Sequence, residues 1–493
     1  MTLPKNTRWL PAISALVLLF AAGAWAAMHH LSAVQDADVW WRLRTGQWML
    51  QHHSLPGEVL FSQRAGGYWT VSGWGFDVLL AAASSVFGLR AIPLLGMMLS
   101  CCAAAVLFVL AGGRNPHRWL PAGLTALLAL WLLGPLPCNP SGVSVLLFGT
   151  ELALLIDLKA NPASRAVYAM PAVFLAWGML APEFLWGALL IVLFVADTAL
   201  RAWLEPGAAF STQAQQKRVL GLLLISPLTP LLTPYSYHLY GNFMAELYGE
   251  AAFKYLPEMN ALGFRHPRDF AFAMFLMGAF FVLGRCRNRF LAFALLAALP
   301  IAYRIQRDAW PALLPAVAVY SSLWSAPEAE GERTGRWIAM GTVAALLLVL
   351  IGGPLLLSPA RIEQALEEKL PVQAAAYVAA HRLPGPIYQT SAWGGYLIYA
   401  LPEYPVALDS RFAVYGDAAY DAQQQLLLGQ VSLDSDPSFA QAHTIILPAN
   451  TALAQAMKKL PALRGRFQAV YEDPLATVFV TQPQQLLQPQ PQL

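Results

Sequence analysis

The chain has 493 residues, 57% of them hydrophobic and 12% charged, with mean hydropathy +0.49 and a formal net charge of +3. A soluble domain carries roughly 25% charged residues, so the composition excludes an ordinary soluble enzyme, and the small net charge gives no basis for a nucleic-acid partner. The four cysteines (Cys101, Cys102, Cys138 and Cys286) form no CxxC or Cys/His metal spacing and read as unpaired.

Lys5 and Arg8 precede an apolar run from Leu10 to Ala27. The run is long for a signal-peptide core and leads into further spans, so it reads as a retained first helix. Apolar runs of roughly 17–25 residues predict about eleven transmembrane helices. They lie near 10–28, 91–112, 119–136, 142–158, 166–181, 184–201, 219–236, 270–284, 290–303, 310–325 and 337–357. With the N-terminus inside, alternate loops collect the basic residues: Arg114 and Arg118, Lys159 and Arg165, Lys217 and Arg218, Arg285, Arg287 and Arg289, then Arg333 and Arg336. Cytoplasmic loops carry such an excess. The pattern requires 75–88, which is short and holds Asp77, to be an interfacial helix. Three outward segments are then large: 29–90, 237–269 and everything after 358. The expected domains are a transmembrane part, 1–357, a soluble α/β part outside the membrane, 358–481, and a disordered Gln/Pro-rich tail, 482–493.

The first outward loop opens with Asp36 and Asp38, then Trp40, Trp41, Arg42, Leu43, Arg44 and Trp48. Two carboxylates one residue apart can share a divalent cation (Mg or Mn), or one can serve as a base. In the simpler reading, one of them caps the following helix. The tryptophans suit an amphipathic helix lying in the membrane interface, and Arg42 suits a phosphate. Tyr68, Trp69, Ser72, Trp74 and Asp77 add an aromatic and polar cluster able to stack on a sugar ring.

Further along, Glu183 falls in a short outward turn, where it faces either a wet cavity or the surface. Prolines at 227, 230 and 234 break the helix near the outer face, and broken backbone at membrane depth lines cavities. Tyr237 and His238 are therefore candidate substrate contacts. Arg304, Arg307 and Asp308 make a compact outward turn suited to a lipid phosphate or headgroup. Arg265, His266 and Arg268 are a weaker version of the same pattern.

In the C-terminal part, 359–381 reads as a helix. Strands are expected near 386–389, 396–400, 404–409, 443–448, 467–471 and 475–480, with helices near 416–429 and 449–461, an α/β pattern. No dinucleotide fingerprint or P-loop is present. Asp409 and Arg411 read as a buried pair or, alternatively, as an acceptor site.

A first helix followed by an outward loop opening with a DxD-like pair resembles the GT-C superfamily of membrane glycosyltransferases. More closely, Asp36-Ala37-Asp38-Val39-Trp40-Trp41-Arg42 resembles a bacterial membrane family whose loop reads Asp-Pro-Asp-Leu-Trp-Trp-His. The C-terminal stretches Trp393-Gly394-Gly395-Tyr396-Leu397-Ile398, Leu408-Asp409-Ser410-Arg411 and Val414-Tyr415-Gly416-Asp417 extend that resemblance over almost the whole chain. It implies a mainly α, GT-C-like bundle in the bacterial inner membrane. It also implies a polyprenyl-phosphate sugar donor, a saccharide, lipid or protein acceptor, and an acidic residue (Asp36 first, Asp38 second) as base or metal ligand. The chain departs from the family at Ala37, where Pro is usual, and at 177–183, where an Asn-x-His-Gly-Gly-like turn is replaced. The rival expectations are a non-catalytic scaffold of the same fold and a lipid or polysaccharide transporter.

Overall fold

The computed structural model describes residues 18, 30–63, 67–204, 213–256, 259–286, 288–324 and 331–482. The expected first span, Arg287 and nearly all of the Gln/Pro tail lie outside the described residues. The chain divides into two compact units. One gathers 70–248 and 252–359 with the N-terminal residues, and the other gathers 34–69, 249–251 and 360–493.

The elements that matter run as follows. Helix α1 covers Ala37–His52, α2 Trp74–Phe87, α3 Ala91–Leu110, α4 Trp119–Leu133, α5 Pro140–Ala160, α6 Met170–Leu180 and α7 Phe184–Leu204. Then come α8 Gln213–Ile225, α9 His238–Tyr248, α10 Pro267–Leu283, α11 Arg289–Arg304, α12 Trp310–Tyr320 and α13 Gly331–Leu356. The last helices used here are α14 Pro359–Glu367, α15 Val372–His381, α16 Ser391–Ala400, α17 Asp417–Leu427 and α18 Ala452–Lys459.

The first unit is an apolar helix bundle. Among the described residues, four stretches are long and apolar enough to cross a membrane: Trp74–Leu110, Pro140–Ala160, Phe184–Leu204 and Ile338–Leu355. Trp119–Leu133, Arg165–Leu180 and Trp310–Leu323 are shorter apolar helices. The chain is thus a membrane protein by its helices. The span expected at 219–236 is a correction: α8 stops at Ile225 and a 3-10 helix, Ser226–Leu232, carries Pro227 and Pro230. Proline removes the backbone donor a regular helix needs. That turn packs against α6, where a side chain at Gly178 would run into Pro230.

Glu151, midway along α5, is fully buried, and neither carboxyl oxygen has a hydrogen-bond partner. Gly187 on α7 makes room for it, because a Cβ there would strike Glu151 and the Trp177 ring. A buried polar group without a partner costs roughly 1–3 kcal/mol. Glu151→Met, similar in volume, is therefore expected to raise stability by about that amount, measured by thermal unfolding of the purified protein in detergent.

The second unit contains a four-stranded sheet in the order β1-β2-β4-β3, where β1 is Ile387–Gln389, β2 Thr444–Pro448, β3 Phe467–Glu472 and β4 Ala476–Thr481. β1 and β2 are parallel, with Ile387 opposite Thr444, and the other pairings are antiparallel. Tyr388, Phe439, Ile445, Leu447, Met457 and Phe479 fill the core on this sheet. The helix expected at 359–381 is two helices, α14 and α15, interrupted at Pro371.

Two further strand expectations are corrected. Residues 404–409 form no strand, and 396–400 belong to helix α16. The consecutive Tyr, Leu and Ile of 396–398 mimic a strand, yet Gly394 and Gly395 serve close packing within a helix. A Cβ at Gly394 would strike the Leu408 carbonyl, and one at Gly395 the Ala37 carbonyl. Gly395 therefore lets α16 lie against α1, and Gly394 lets it lie against the Leu408–Asp409 backbone, although Gly395 and Ala37 are far apart in the chain. Trp40, fully buried, meets Tyr396 edge-on at 5.3 Å and donates its indole N–H to Val34 O at 2.9 Å. This corrects the interfacial-helix expectation for α1: Trp40, Trp41 and Leu43 are packed inside the second unit.

Candidate functional site: an arginine-lined cavity in the helix bundle

The sequence-derived candidates separate between the two units. Asp36, Asp38, Arg42 and Trp69 belong to the second; Trp74, Glu183, Tyr237, His238, Arg304 and Arg307 belong to the first.

In the second unit, Asp36 is the N-cap of α1, its Oδ1 accepting from Asp38 N at 2.9 Å. Asp38 Oδ1 accepts from Trp41 Nε1 at 3.1 Å and from the Ser410 hydroxyl. Arg42 lays its guanidinium 4.3 Å from the Trp41 ring centre, and Trp69 is buried beneath Arg411 at 4.7 Å. Arg411 forks onto Asp409, with Nε to Oδ1 at 2.9 Å and Nη2 to Oδ2 at 2.6 Å, while Tyr415 donates to Oδ2 at 2.7 Å. Burial opposes the charge on Arg411, but the Asp409 carboxylate outweighs it and holds the guanidinium pKa above its ordinary value. Burial, reinforced by Asp409, likewise drives the Tyr415 phenol far up.

Among the described residues, no group of three or more His, Cys, Asp or Glu gathers for a metal ion. Asp36 is engaged as the cap of α1, and Asp38 as the acceptor for Trp41 and Ser410. A cap lost costs about 1 kcal/mol, whereas Asn caps as well as Asp. Asp36→Ala is expected to destabilise the protein by that amount and Asp36→Asn by a few tenths, measured by thermal unfolding.

In the first unit, one cavity of about 430 Å³ gathers polar side chains, lined by Ser141, Arg268, Gln306, Arg307 and Trp310 with an apolar wall from Leu133 to Pro137. A smaller neighbouring cavity of about 50 Å³ shares Arg268, Gln306, Arg307 and Trp310 and adds Asp269. Local sequence explains the shape. Gly134 ends α4 with φ +81°, a conformation L side chains rarely adopt, and a Cβ there would come within 2.9 Å of Arg268 Nη1. Asn139 caps α5 by accepting from Gly142 N at 3.3 Å, with Pro140 in the first turn. Gln306 N donates to Asn260 O at 2.9 Å, which ties the α11–α12 turn to the segment before α10. Buried Asp308 accepts from Arg307 Nε at 3.2 Å and orients that guanidinium. Trp310 Nε1 is buried with no hydrogen-bond partner.

The lining is rich in donors: two guanidiniums, an amide and an unpartnered indole N–H. Such a set recognises an anion.

Of the candidates read from the sequence, Arg307 lines this cavity and Glu183 stands directly behind it. Glu183, 2% exposed, accepts from Ser141 Oγ at 2.6 Å and from Ser144 Oγ at 2.7 Å. Ser144 Oγ accepts in turn from Trp177 Nε1 at 2.8 Å. Arg304 points elsewhere, exposed and 5.1 Å from the Phe253 ring centre. Tyr237 is exposed, with its ring tilted against that of His238 at 4.1 Å between centres, and neither lines the cavity. Trp74 begins α2, half-buried, and is also outside it. Ser141, Gln306 and Trp310 were missed, because a lone Ser, Gln or Trp beside an apolar run carries no spacing signal. Arg268 was visible only as part of a basic cluster.

No family model matches the chain, and no curated protein matches it. Among solved structures, it is similar to the Archaeoglobus fulgidus oligosaccharyltransferase tethered to an acceptor peptide containing the NVT sequon, at 11% identity and TM-score 0.51, covering 97% of this chain and 74% of that one. It is also similar to ArnT from Cupriavidus metallidurans bound to undecaprenyl phosphate, at 13% identity and TM-score 0.49, covering 95% and 99%. At 11% identity the likeness to the oligosaccharyltransferase speaks to the fold alone.

Proposed function

We propose that the chain is a membrane glycosyltransferase that takes sugar from a polyprenyl-phosphate carrier, with the carrier phosphate seated between Arg268 and Arg307. The observation that carries this reading is the donor-rich cavity in a bundle of GT-C-like fold. Guanidiniums match phosphate oxygens with paired hydrogen bonds. The unpartnered Trp310 N–H supplies a further donor, and the wall from Leu133 to Pro137 suits an isoprenoid chain. A cavity of this size lies within the range of small-ligand pockets, roughly 300–1,000 Å³.

The sidedness follows from charge. Each lining helix has its cavity end opposite its basic loop: α4 starts by Arg118, α5 ends by Lys159, α10 ends by Arg285 and α11 starts at Arg289. Basic loops mark the cytoplasmic side, so the cavity opens outward, toward a carrier in the outer leaflet, and about eleven spans with an inward N-terminus satisfy the pattern. The engagement of Asp36 and Asp38 in packing favours, as a second reading, a carrier-binding member of this fold without transfer activity.

Reconstituted protein given polyprenyl-phosphate-linked sugars from a bacterial membrane extract is expected to transfer sugar to an extract acceptor, with excess undecaprenyl phosphate competing. Transfer from nucleotide-linked sugars without a lipid carrier would contradict the proposal. Carrier binding without transfer would select the second reading.

A further inference from the structure

We propose that Ser141 and Glu183 form the proton-accepting dyad of this cavity, and that the acceptor is an alcohol. The assignment rests on the glycosyl-transfer reading above. Ser141, in the first turn of α5, shares the cavity wall with Arg268 and Arg307. Its hydroxyl lies 2.6 Å from Glu183 Oε1. The proton of the neighbouring Ser144 is oriented from behind. An indole N–H only donates, so Ser144, which accepts from Trp177, must turn its own proton toward Glu183 Oε2. Among the described residues no Lys, Arg or His pairs with Glu183, so the carboxylate acts as an acceptor from hydroxyls alone. It immediately precedes α7, a 21-residue helix whose N-terminal dipole favours negative charge.

A serine that donates to a carboxylate keeps its lone pairs for a second donor. An acceptor alcohol in the cavity supplies that donor. As its O–H bond breaks, the proton passes to Ser141 Oγ while Ser141's own proton passes to Glu183 Oε1. The acceptor oxygen forms its bond to the anomeric carbon. The bond from that carbon to the phosphate oxygen breaks, and its electron pair leaves with the lipid phosphate, where Arg268 and Arg307 stand. Glu183 ends as the neutral acid and later returns the proton to water. Ser141 touches the reacting hydroxyl; Glu183 acts through Ser141 and positions it.

The test uses full-length protein in proteoliposomes, with polyprenyl-phosphate-linked sugars from a bacterial membrane extract as donor and undecaprenyl phosphate as the binding probe. Ser141→Ala and Glu183→Gln are each expected to lower kcat about 10²–10³-fold, with KM and undecaprenyl phosphate affinity within about two-fold of wild type. Glu183→Asp, which keeps a carboxylate, recovers part of the rate. Wild-type transfer with kcat unchanged in both variants overturns the dyad alone. A parallel fall of kcat and carrier affinity, the mark of a distorted cavity, overturns it too. A wild-type protein that binds carrier but transfers nothing overturns the glycosyl-transfer reading and the dyad with it.

Discussion

Replacing Arg268 and Arg307 together by alanine is expected to abolish retention of undecaprenyl phosphate through purification, read by native mass spectrometry. A hydrogen bond to a charged group contributes about 1.5–3 kcal/mol, so each single alanine variant weakens binding about 10- to 150-fold. Arg268→Lys keeps the charge but loses the two-pronged geometry, and its affinity falls between wild type and Arg268→Ala. Arg304→Ala is the internal control. Arg304 is exposed and rests on Phe253 outside the cavity, and the cost of removing it stays within about 0.5 kcal/mol. Equal losses from all three positions would mean that the cavity does not select the phosphate.

The largest effect on stability belongs to the second unit. Asp409→Asn leaves Arg411 charged and without its counter-ion among Trp41, Trp69 and Tyr415. Breaking a buried pair from one side costs about 3–5 kcal/mol. That is a large part of the 5–15 kcal/mol that typically holds a domain together. Thermal unfolding and limited proteolysis of the full chain should both report it. Changing both partners, Asp409→Leu with Arg411→Met, removes the stranded charge and is expected to cost clearly less than the two single substitutions summed. Full additivity would mean that the pair is not energetically coupled.

What the sequence disclosed depended on whether a signal was local. Apolar runs marked most of the bundle helices to within a few residues, since burial and span length are written into consecutive side chains. The prolines at 227 and 230 announced the break that shortens α8. Asp36 announced a cap, and the Asp409–Arg411 pair could be read from its spacing. Long-range packing left no such mark. Nothing near residue 395 says that its missing side chain serves a carbonyl at residue 37, and so Trp393–Ile398 resembled a strand. The cavity shows the same limit from the functional side. Its arginines come from the first turn of α10 and from the turn after α11, and its serine from the first turn of α5. Basic clusters therefore pointed to Arg304 as strongly as to Arg307. Only the turn of the chain after α11, which sends Arg304 outward and Arg307 inward, separates the two.

The most direct test of the central claim is the structure of the protein in lipid nanodiscs with undecaprenyl phosphate, determined by electron cryomicroscopy. The expected map shows the phosphate within hydrogen-bonding distance of both Arg268 and Arg307, near the indole N–H of Trp310, with the isoprenoid chain leaving past Leu136. A phosphate lodged instead at the basic loop around Arg285 and Arg289, with the arginine-lined cavity left empty, would contradict both the site and the outward orientation that goes with it.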